Sequence, residues 1–339
     1  MVRVTIDIFS GRPNPSFVLD EREAQEILRQ LSAAPEAVVS AERSLGILGY
    51  RGLVLELDSE AAARHDHLPR ELRIGGGVAG AESRGLEIAQ RLVERMGTPT
   101  PAVEGFSGPL ASYEGLDLRR LVREGMDALS SLAATFNAAP TGNAAPTGDV
   151  ATATDDVSVS TLSTGDATVM AGATVLGTDA SSWTTYTVGT CQYEGSAFNP
   201  NFWNAQRTVM RNNNCYNYAS NRRTDTFAQP GRATGAQATI MACTNVGNGA
   251  TSDGALAVPT CADATQSPRH YMALVIWPGT DYHWYRKHSD GFWGHKPGQT
   301  AARNYDNSNN IIYDPQTANR GGYTDFCGYY FGPASMQIR

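Results

Sequence analysis

Cys215 is the residue of this sequence that is best placed to act as a nucleophile. Three asparagines precede it and a helix-compatible run follows, so Asn213 or Asn214 is predicted to cap a helix that carries the thiol in its first turn. A helix N-terminus and a neighbouring histidine both lower the pKa of a cysteine and activate it. His270, which opens an apolar strand, is predicted to be that histidine.

The two segments around these residues are similar to a known enzyme family. Residues 214–219 (Asn-Cys-Tyr-Asn-Tyr-Ala) and 270–275 (His-Tyr-Met-Ala-Leu-Val) resemble the papain-like superfamily in its broad sense, which includes bacterial cell-wall endopeptidases and amidases. The resemblance implies a papain-like C-terminal domain around a central antiparallel sheet. It also implies a thiol hydrolase or acyl transferase acting on amide bonds, with Cys215 as the nucleophile and His270 as the general base.

The same resemblance implies a site for the oxyanion that forms during acyl transfer. The backbone N–H of Cys215, aided by Gln206 or Asn214, would stabilise that charge. Gln206 lies further upstream of the cysteine than the family's glutamine does. The expected partner is a peptide or a peptidoglycan-like substrate, and no cofactor is expected.

The residue that orients the general base has two candidates. A turn at 278–279 would place His270 opposite residues 287–289, which makes His288 the geometric choice. The cell-wall endopeptidases space their two histidines more like His270 and His283. The expected register places His283 near the opposite end of the hairpin from His270.

A second overlay is the transglutaminase-like pattern, in which a His-Trp strand is followed by a Gly-aromatic-Trp strand that carries an acid. Residues 283–284 (His-Trp) and 291–293 (Gly-Phe-Trp) match it. His283 would then be the base, and His295 would stand where that family has an aspartate. Both overlays share Cys215 and the same reaction class, and His270 is the preferred base.

Aromatic side chains alternate along this hairpin and must therefore point to both faces of the sheet. One set is predicted to build the core. The other set, with Trp284 and Trp293 as candidates, could line a groove in which flat rings stack on a peptide or a glycan. Core packing is the preferred interpretation for most of these rings.

A non-enzymatic alternative stays open. A buried helical cysteine is more often an inert packing residue than a nucleophile. The chain would then be a ligand-binding protein with an aromatic-rich C-terminal domain and a structural Cys215. A metal site built from His270, His283 and His295 lacks the ligand spacing that metal sites show, so no metal is expected.

The five cysteines all lie in the C-terminal part, and at least one of them cannot pair within the chain. Cys243 and Cys261 could close a loop, and Cys191 and Cys327 could join the ends of the domain, which leaves Cys215 unpaired. Because no signal peptide is recognisable, reduced cysteines are the default expectation.

Residues 1–133 are predicted to form a small N-terminal α/β or α+β module. Alternating apolar residues predict a strand over 1–8, and Asp20 is predicted to cap a helix with one apolar stripe. The other predicted elements of this module are strands at 53–57 and 72–74 and helices at about 83–96 and 116–132.

Composition changes sharply after this module. Residues 134–182 contain a direct repeat of Asn-Ala-Ala-Pro-Thr-Gly and little apolar bulk, which predicts a flexible linker. Residues 183–339 form the predicted Cys/His domain, with three antiparallel strands between 270 and 293 and loops over 229–268. The last 40 or so residues are predicted to be loops as well. The chain as a whole is predicted to be α+β.

Net charge limits the class of partner. The formal charge is −7, which argues against general nucleic-acid binding because such binding needs a basic surface. No apolar run reaches the roughly 18 residues of a membrane span. The start of the chain lacks the apolar core of a signal peptide, so a cytoplasmic location or export without a cleavable signal is expected. The oligomeric state is left undetermined.

Overall fold

In a computed structural model of the 339-residue chain, the described residues are 1–40, 46–76, 83–138, 175–179 and 182–339. They form an α+β protein in a two-domain arrangement, as the sequence predicts. Most of the predicted linker over 134–182 lies outside the described residues. None of the helices in the described ranges combines the length and the apolar character needed to cross a membrane.

The N-terminal part is built on a six-stranded sheet with helices packed against it. Its strands are β1 (Val2–Asp7), β2 (Pro15–Leu19), β3 (Val39–Ser40), β4 (Gly52–Leu57), β5 (Glu71–Ile74) and β6 (Thr100–Pro101). Its helices are α1 (Glu21–Ser32), α2 (Ser59–Arg64), α3 (Ser83–Glu94) and α4 (Leu118–Ala138). The strand order is β3-β5-β4-β1-β2-β6, and each described pair is antiparallel. This part is therefore α+β and not α/β, because an α/β unit needs parallel strands joined by crossover helices.

One face of this sheet carries the N-terminal core. Val2, Val4 and Ile6 of β1 are fully buried and share one apolar cluster with the stripe of α1. The predicted cap of α1 is confirmed, since the Asp20 carboxylate accepts a 2.8 Å hydrogen bond from the backbone N–H of Glu23. The first strand and the first helix thus follow directly from the local pattern.

The C-terminal domain is built on a five-stranded antiparallel sheet and a separate hairpin. Its strands are β7 (Thr184–Val188), β8 (Cys191–Gly195), β9 (Leu256–Ala257), β10 (His270–Trp277), β11 (Asp281–Lys287), β12 (Trp293–His295) and β13 (Asp325–Gly332). Its helices are α5 (Asn201–Asn204), α6 (Arg207–Asn212), α7 (Cys215–Ala219) and α8 (Cys243–Ser252). The sheet order is β12-β11-β10-β13-β9, while β7 pairs with β8. The three strands predicted between residues 270 and 293 are confirmed.

Alternation along the β10–β11 hairpin divides this domain into two apolar layers. Leu274 and Trp284 face α7 and α8, on what we call the α7 face. Val275 and Tyr285 point the other way, into a second cluster on what we call the opposite face. Any two residues of the hairpin can therefore meet only if they share a face.

Two elements occupy segments that were predicted to be loops. The helix α8 forms in a glycine-rich stretch of low helix propensity, because Val246 and Ala250 are fully buried and its first residue is covalently held. The strand β13 pairs along the whole of β10, from His270 opposite Gly332 onwards. Both predictions were wrong because long-range packing overrides weak local preference.

Two disulfides cross-link the C-terminal domain. They join Cys191 to Cys261 and Cys243 to Cys327, while Cys215 is free as predicted. Both predicted pairings, and the default expectation of reduced cysteines, were wrong. The cause is the missed strand β13, which brings Cys327 beside α8 and leaves Cys261 to meet the start of β8.

The two parts of the chain are packed together over a polar surface. The face of the N-terminal sheet that points away from its core meets α6, where Arg211 pairs with Glu56 and Glu71. Further along, Leu48 and Asn307 exchange hydrogen bonds of 2.7 and 2.9 Å. The more acidic N-terminal part thus meets arginines of the C-terminal domain.

A buried ion cluster lies on the same face of the N-terminal sheet. Asp7, which is 3% exposed, pairs with Arg51 at 2.6 Å and with Arg73 at 2.8 Å. Burial raises the pKa of the Asp7 carboxyl, but the two guanidinium groups more than offset it and lower the pKa to about 2. The carboxylate therefore stays ionised through most of the acid range.

Replacing Asp7 with asparagine should lower the free energy of unfolding by about 3–5 kcal/mol at pH 7, because two buried guanidinium groups lose their carboxylate partner. The folded-state pKa lies below the unfolded one. The contribution is therefore complete above about pH 4 and is lost as the pH falls through about 2. Urea unfolding at pH values from 7 to 2 should show that the free energies of unfolding of the unaltered chain and the variant converge as the pH approaches 2. A gap that stays constant down to pH 2 would contradict this account.

The disulfides should contribute measurably to stability, because they close sequence separations of 70 and 84 residues. The double change Cys243→Ser/Cys327→Ser should lower the free energy of unfolding by about 2–4 kcal/mol, measured by guanidinium denaturation. Reductant should destabilise the unaltered chain by more than it destabilises the double variant. Equal sensitivity of the two chains to reductant would rule out a stabilising role for this bond.

Candidate functional site

The Cys215 thiol lies in the first turn of α7, against the sheet. The Asn214 side chain caps the helix by accepting hydrogen bonds from the backbone N–H groups of Tyr216 and Asn217 at 3.0 and 3.2 Å. The backbone N–H of Trp284, on β11, donates to the sulfur. The predicted position of the cysteine at a capped helix N-terminus is confirmed.

The environment of Cys215 does not favour the thiolate. The residue is fully buried. Burial, reinforced by the nearby Asp281 carboxylate, raises the pKa of the Cys215 thiol well above its usual value. Lys296 is the nearest cation, but its ammonium donates to the carbonyls of Asn213 and Gly298 at 2.5 and 2.6 Å. The thiol is therefore protonated at neutral pH in this conformation.

A segment of the N-terminal part fills the cleft beside Cys215. The backbone N–H groups of Ser10, Gly11 and Arg12 all donate to the Asp281 carboxylate, at 2.5, 3.2 and 2.9 Å. The Tyr323 hydroxyl donates to the same carboxylate at 2.6 Å. Three successive amides wrapped around one anion form a nest, and the nest here holds residues 10–12 (segment 10–12) in place.

The carbonyl of Gly11 is held as firmly as its amide. It accepts hydrogen bonds from Asn214 at 2.7 Å, from Gln229 at 2.9 Å and from Tyr282 at 3.1 Å. A Cβ at this glycine would lie 2.5 Å from the Tyr282 ring. We call the pocket formed by Asn214, Gln229, Asp281, Tyr282 and Tyr323 the segment-binding cleft; it admits glycine at its centre and little else.

His270 lies on the α7 face, as Cys215 does, but at the other end of the hairpin. Trp284, which contacts the sulfur, pairs with Leu274, and His270 is four residues further along β10. At 3.3 Å per residue this separation is roughly 13 Å. No hydrogen bond joins Cys215 to a histidine within the described ranges, so the predicted Cys–His pair is not assembled.

His288 lies level with His270 in the confirmed register, yet its hydrogen bonds go elsewhere. Its Nδ1 is 3.2 Å from the Ser196 carbonyl and its Nε2 is 2.6 Å from the Tyr218 hydroxyl. Burial and the neighbouring Arg286 lower the pKa of His288 well below its usual value. The neutral ring must therefore donate through Nδ1 and accept from Tyr218. His270 packs against Trp183 with the two rings tilted and their centroids 5.1 Å apart.

His283 and His295 form the adjacent pair that the second overlay predicts, but on the opposite face from Cys215. His283 Nε2 and His295 Nδ1 are 2.9 Å apart, and His295 Nε2 is 2.9 Å from the Tyr305 carbonyl. Burial lowers the pKa of both rings, that of His295 to about 3. Neither ring can reach the thiol without crossing the sheet.

The remaining predicted site residues serve in other ways. Trp284 is fully buried between Tyr216 and Tyr330, and Trp293 is buried in the cluster on the opposite face. Gln206 is exposed ahead of α6. The side-chain amide of Asn214 donates its two hydrogens to the Gly11 and Ala228 carbonyls. No group of three His, Cys, Asp or Glu side chains in the described ranges is arranged to hold a metal ion.

The segment-binding cleft has no signature in the sequence that would have predicted it. Asp281 and Gln229 belong to no recognisable motif, and residues 10–15 (Ser-Gly-Arg-Pro-Asn-Pro) have the composition of an ordinary turn. The one signal in the sequence is Gly11. A glycine can mark a place where another part of the chain approaches the backbone closely. Its partner, more than 200 residues away, could be identified only from the fold.

Comparison with known proteins identifies a relative from a mollusc. Over 132 residues, 39% of this chain and 86% of the other, the chain is 46% identical to insoluble matrix shell protein 1 of Ruditapes philippinarum. The chain belongs to the family of that shell matrix protein. No protein-family model matches the chain, and no solved structure is significantly similar to it. The resemblance to papain-like enzymes stays a prediction.

Segment 10–12 should control access to Cys215 in this member of the family. The unaltered chain should react with iodoacetamide only after unfolding, whereas Gly11→Val, which clashes with Tyr282, should react about tenfold faster or more. Mass spectrometry after a timed pulse at pH 8 locates the label. Gly97→Val is the matched control, because a Cβ there meets nothing within 4 Å. Fast labelling of Cys215 in the unaltered chain would contradict the sealed geometry.

Proposed function

We propose that this chain is a non-enzymatic structural protein whose C-terminal domain binds a polypeptide segment, and that it works in an extracellular protein matrix. One observation carries the proposal: the segment-binding cleft holds the backbone of segment 10–12 through both its amides and a carbonyl. Recognition of backbone groups around a glycine is a property of a peptide-binding site.

The chemistry of the cleft supports binding over catalysis. Its polar groups are occupied by the segment, and Cys215, the free thiol beside it, is buried and protonated. Burial keeps His283, His288 and His295 neutral, and each is hydrogen-bonded to a group other than Cys215. A catalytic site would need a base within about 3 Å of the nucleophile.

Two further observations support a matrix role. Structural disulfides form and persist in oxidising, extracellular surroundings, and this domain has two of them. The relative's name describes it as an insoluble protein of a shell matrix. A compact, disulfide-linked domain that binds the backbone of a polypeptide is suited to joining chains in such an assembly.

The proposal is tested with the full chain carrying Gly11→Val, which displaces its own segment from the cleft. A labelled peptide of residues 9–14 (Phe-Ser-Gly-Arg-Pro-Asn) should bind this variant, followed by fluorescence anisotropy. It should bind the unaltered chain at least about tenfold more weakly, because a tethered segment competes at roughly millimolar effective concentration. The same peptide with valine in place of glycine is the control and should bind neither chain. Equal binding of both peptides would overturn the proposal.

The thiol-hydrolase prediction keeps one supporting observation, the position of Cys215 at a capped helix N-terminus. It requires that segment 10–12 leave and that a base come within reach of the sulfur. The Gly11→Val chain offers the test, since its cleft is open. Cys215-dependent hydrolysis of a fluorogenic casein by this variant, lost in Cys215→Ala, would favour the enzyme over the binding protein.

A further inference from the structure

A cavity lies between the two parts of the chain, away from the segment-binding cleft. Its volume is about 440 Å³, within the range of sites for small ligands. One wall, from the polar face of the N-terminal sheet, is lined by Thr5, Asp7, Val54 and Arg73, and the other is lined by Arg211 and Gln299. Junctions between domains are common positions for such sites.

The side chains in and behind the two walls of the cavity together carry a surplus of positive charge. Arg51 and Arg73, 0% and 4% exposed, both pair with Asp7, and no other carboxylate in the described ranges lies within ion-pair distance of them. Glu71 also lines the cavity, but it and Glu56 are balanced by two arginines of α6. One buried guanidinium charge is therefore left without an anion, which is unfavourable in a poorly solvated site.

Two buried polar atoms on this wall have no hydrogen-bond partner in the protein. They are the Thr5 hydroxyl oxygen and Arg73 Nε, on residues that are 2% and 4% exposed. Thr5 pairs with Val54 across β1 and β4, and Val54 pairs with Arg73 across β4 and β5. The two residues thus lie in one row of the sheet, on the same face. Buried donors are nearly always satisfied, so two unpartnered ones in one cavity wall call for an acceptor.

We propose that this cavity binds a small oxyanion, a carboxylate or a phosphate, that accepts hydrogen bonds from the Thr5 hydroxyl and Arg73 Nε. An oxyanion supplies both the missing negative charge and the missing acceptors, and guanidinium groups bind oxyanions strongly because their donors match that geometry. A neutral ligand would leave the charge unbalanced. The site is separate from the segment-binding cleft, so either proposal can fail without the other.

The test is thermal unfolding of the full chain in sodium phosphate, sodium acetate or sodium chloride at equal ionic strength, followed by calorimetric titration. Phosphate or acetate should raise the midpoint temperature of unfolding above its value in chloride, and the increase should grow with the anion concentration. The anion that produces this increase identifies the class of ligand. Thr5→Val should weaken the affinity about tenfold, which is the usual effect of losing one hydrogen bond to a charged group. Because it removes an unpartnered hydroxyl, it should not destabilise the anion-free chain.

Two further variants make the result decisive. Arg73→Lys keeps the positive charge but lacks the Nε donor, and it should weaken binding to a similar extent. Thr185→Val, on exposed β7, is the matched control and should bind like the unaltered chain. The proposal fails if neither anion exceeds chloride, or if Thr5→Val and Arg73→Lys bind as tightly as the control.

Discussion

Four hydrogen-bond donors converge on the carboxylate of Asp281, and the arrangement of the two parts of the chain depends on them. The group is fully buried, and no cationic side chain in the described ranges lies within ion-pair distance of it, although Arg12 is near enough to interact with its charge. Burial raises the pKa of Asp281, and the donors from Ser10, Gly11, Arg12 and Tyr323 oppose that shift. A buried carboxylate that forms no direct ion pair is costly, so these donors must all stay in place. They belong to the first loop of the chain and to its last long loop, which are thereby locked to the start of β11.

This constraint explains why the N-terminal part is not an independent unit on a tether. Its first loop is an internal ligand of the C-terminal domain, and its polar sheet face is covered by α6. The charges at the junction are complementary, since Glu56 and Glu71 of the sheet pair with arginines of α6. An acidic N-terminal part and an arginine-bearing C-terminal surface attract each other, and their junction leaves a cavity whose wall holds the Asp7 cluster.

The β10–β11 hairpin sets what chemistry the domain can perform. Side chains alternate between two faces, so Cys215 meets Trp284 and Tyr282 while the His283–His295 pair lies across the sheet. His270 shares the face of Cys215 but not its position along the strand. Each histidine with a resolved pKa shift is held neutral by burial, which suits a packed, aromatic core. The same sheet that holds these rings keeps Cys215 apart from the histidines.

Local sequence was enough to determine the elements whose signals lie within a few residues of each other. Hydrophobic periodicity, capping residues and turn residues predict the strand β1, the capped helix α1, the Asn214 cap of α7 and the hairpin that begins at His270. Only the tertiary structure decided which partners meet. Contacts between residues that are far apart in the chain determine the disulfide pairing, the strand β13, the helix α8 and the position of segment 10–12. Such contacts are selected by packing and by the need to satisfy buried polar groups, and neither leaves a local pattern that can be read from the sequence.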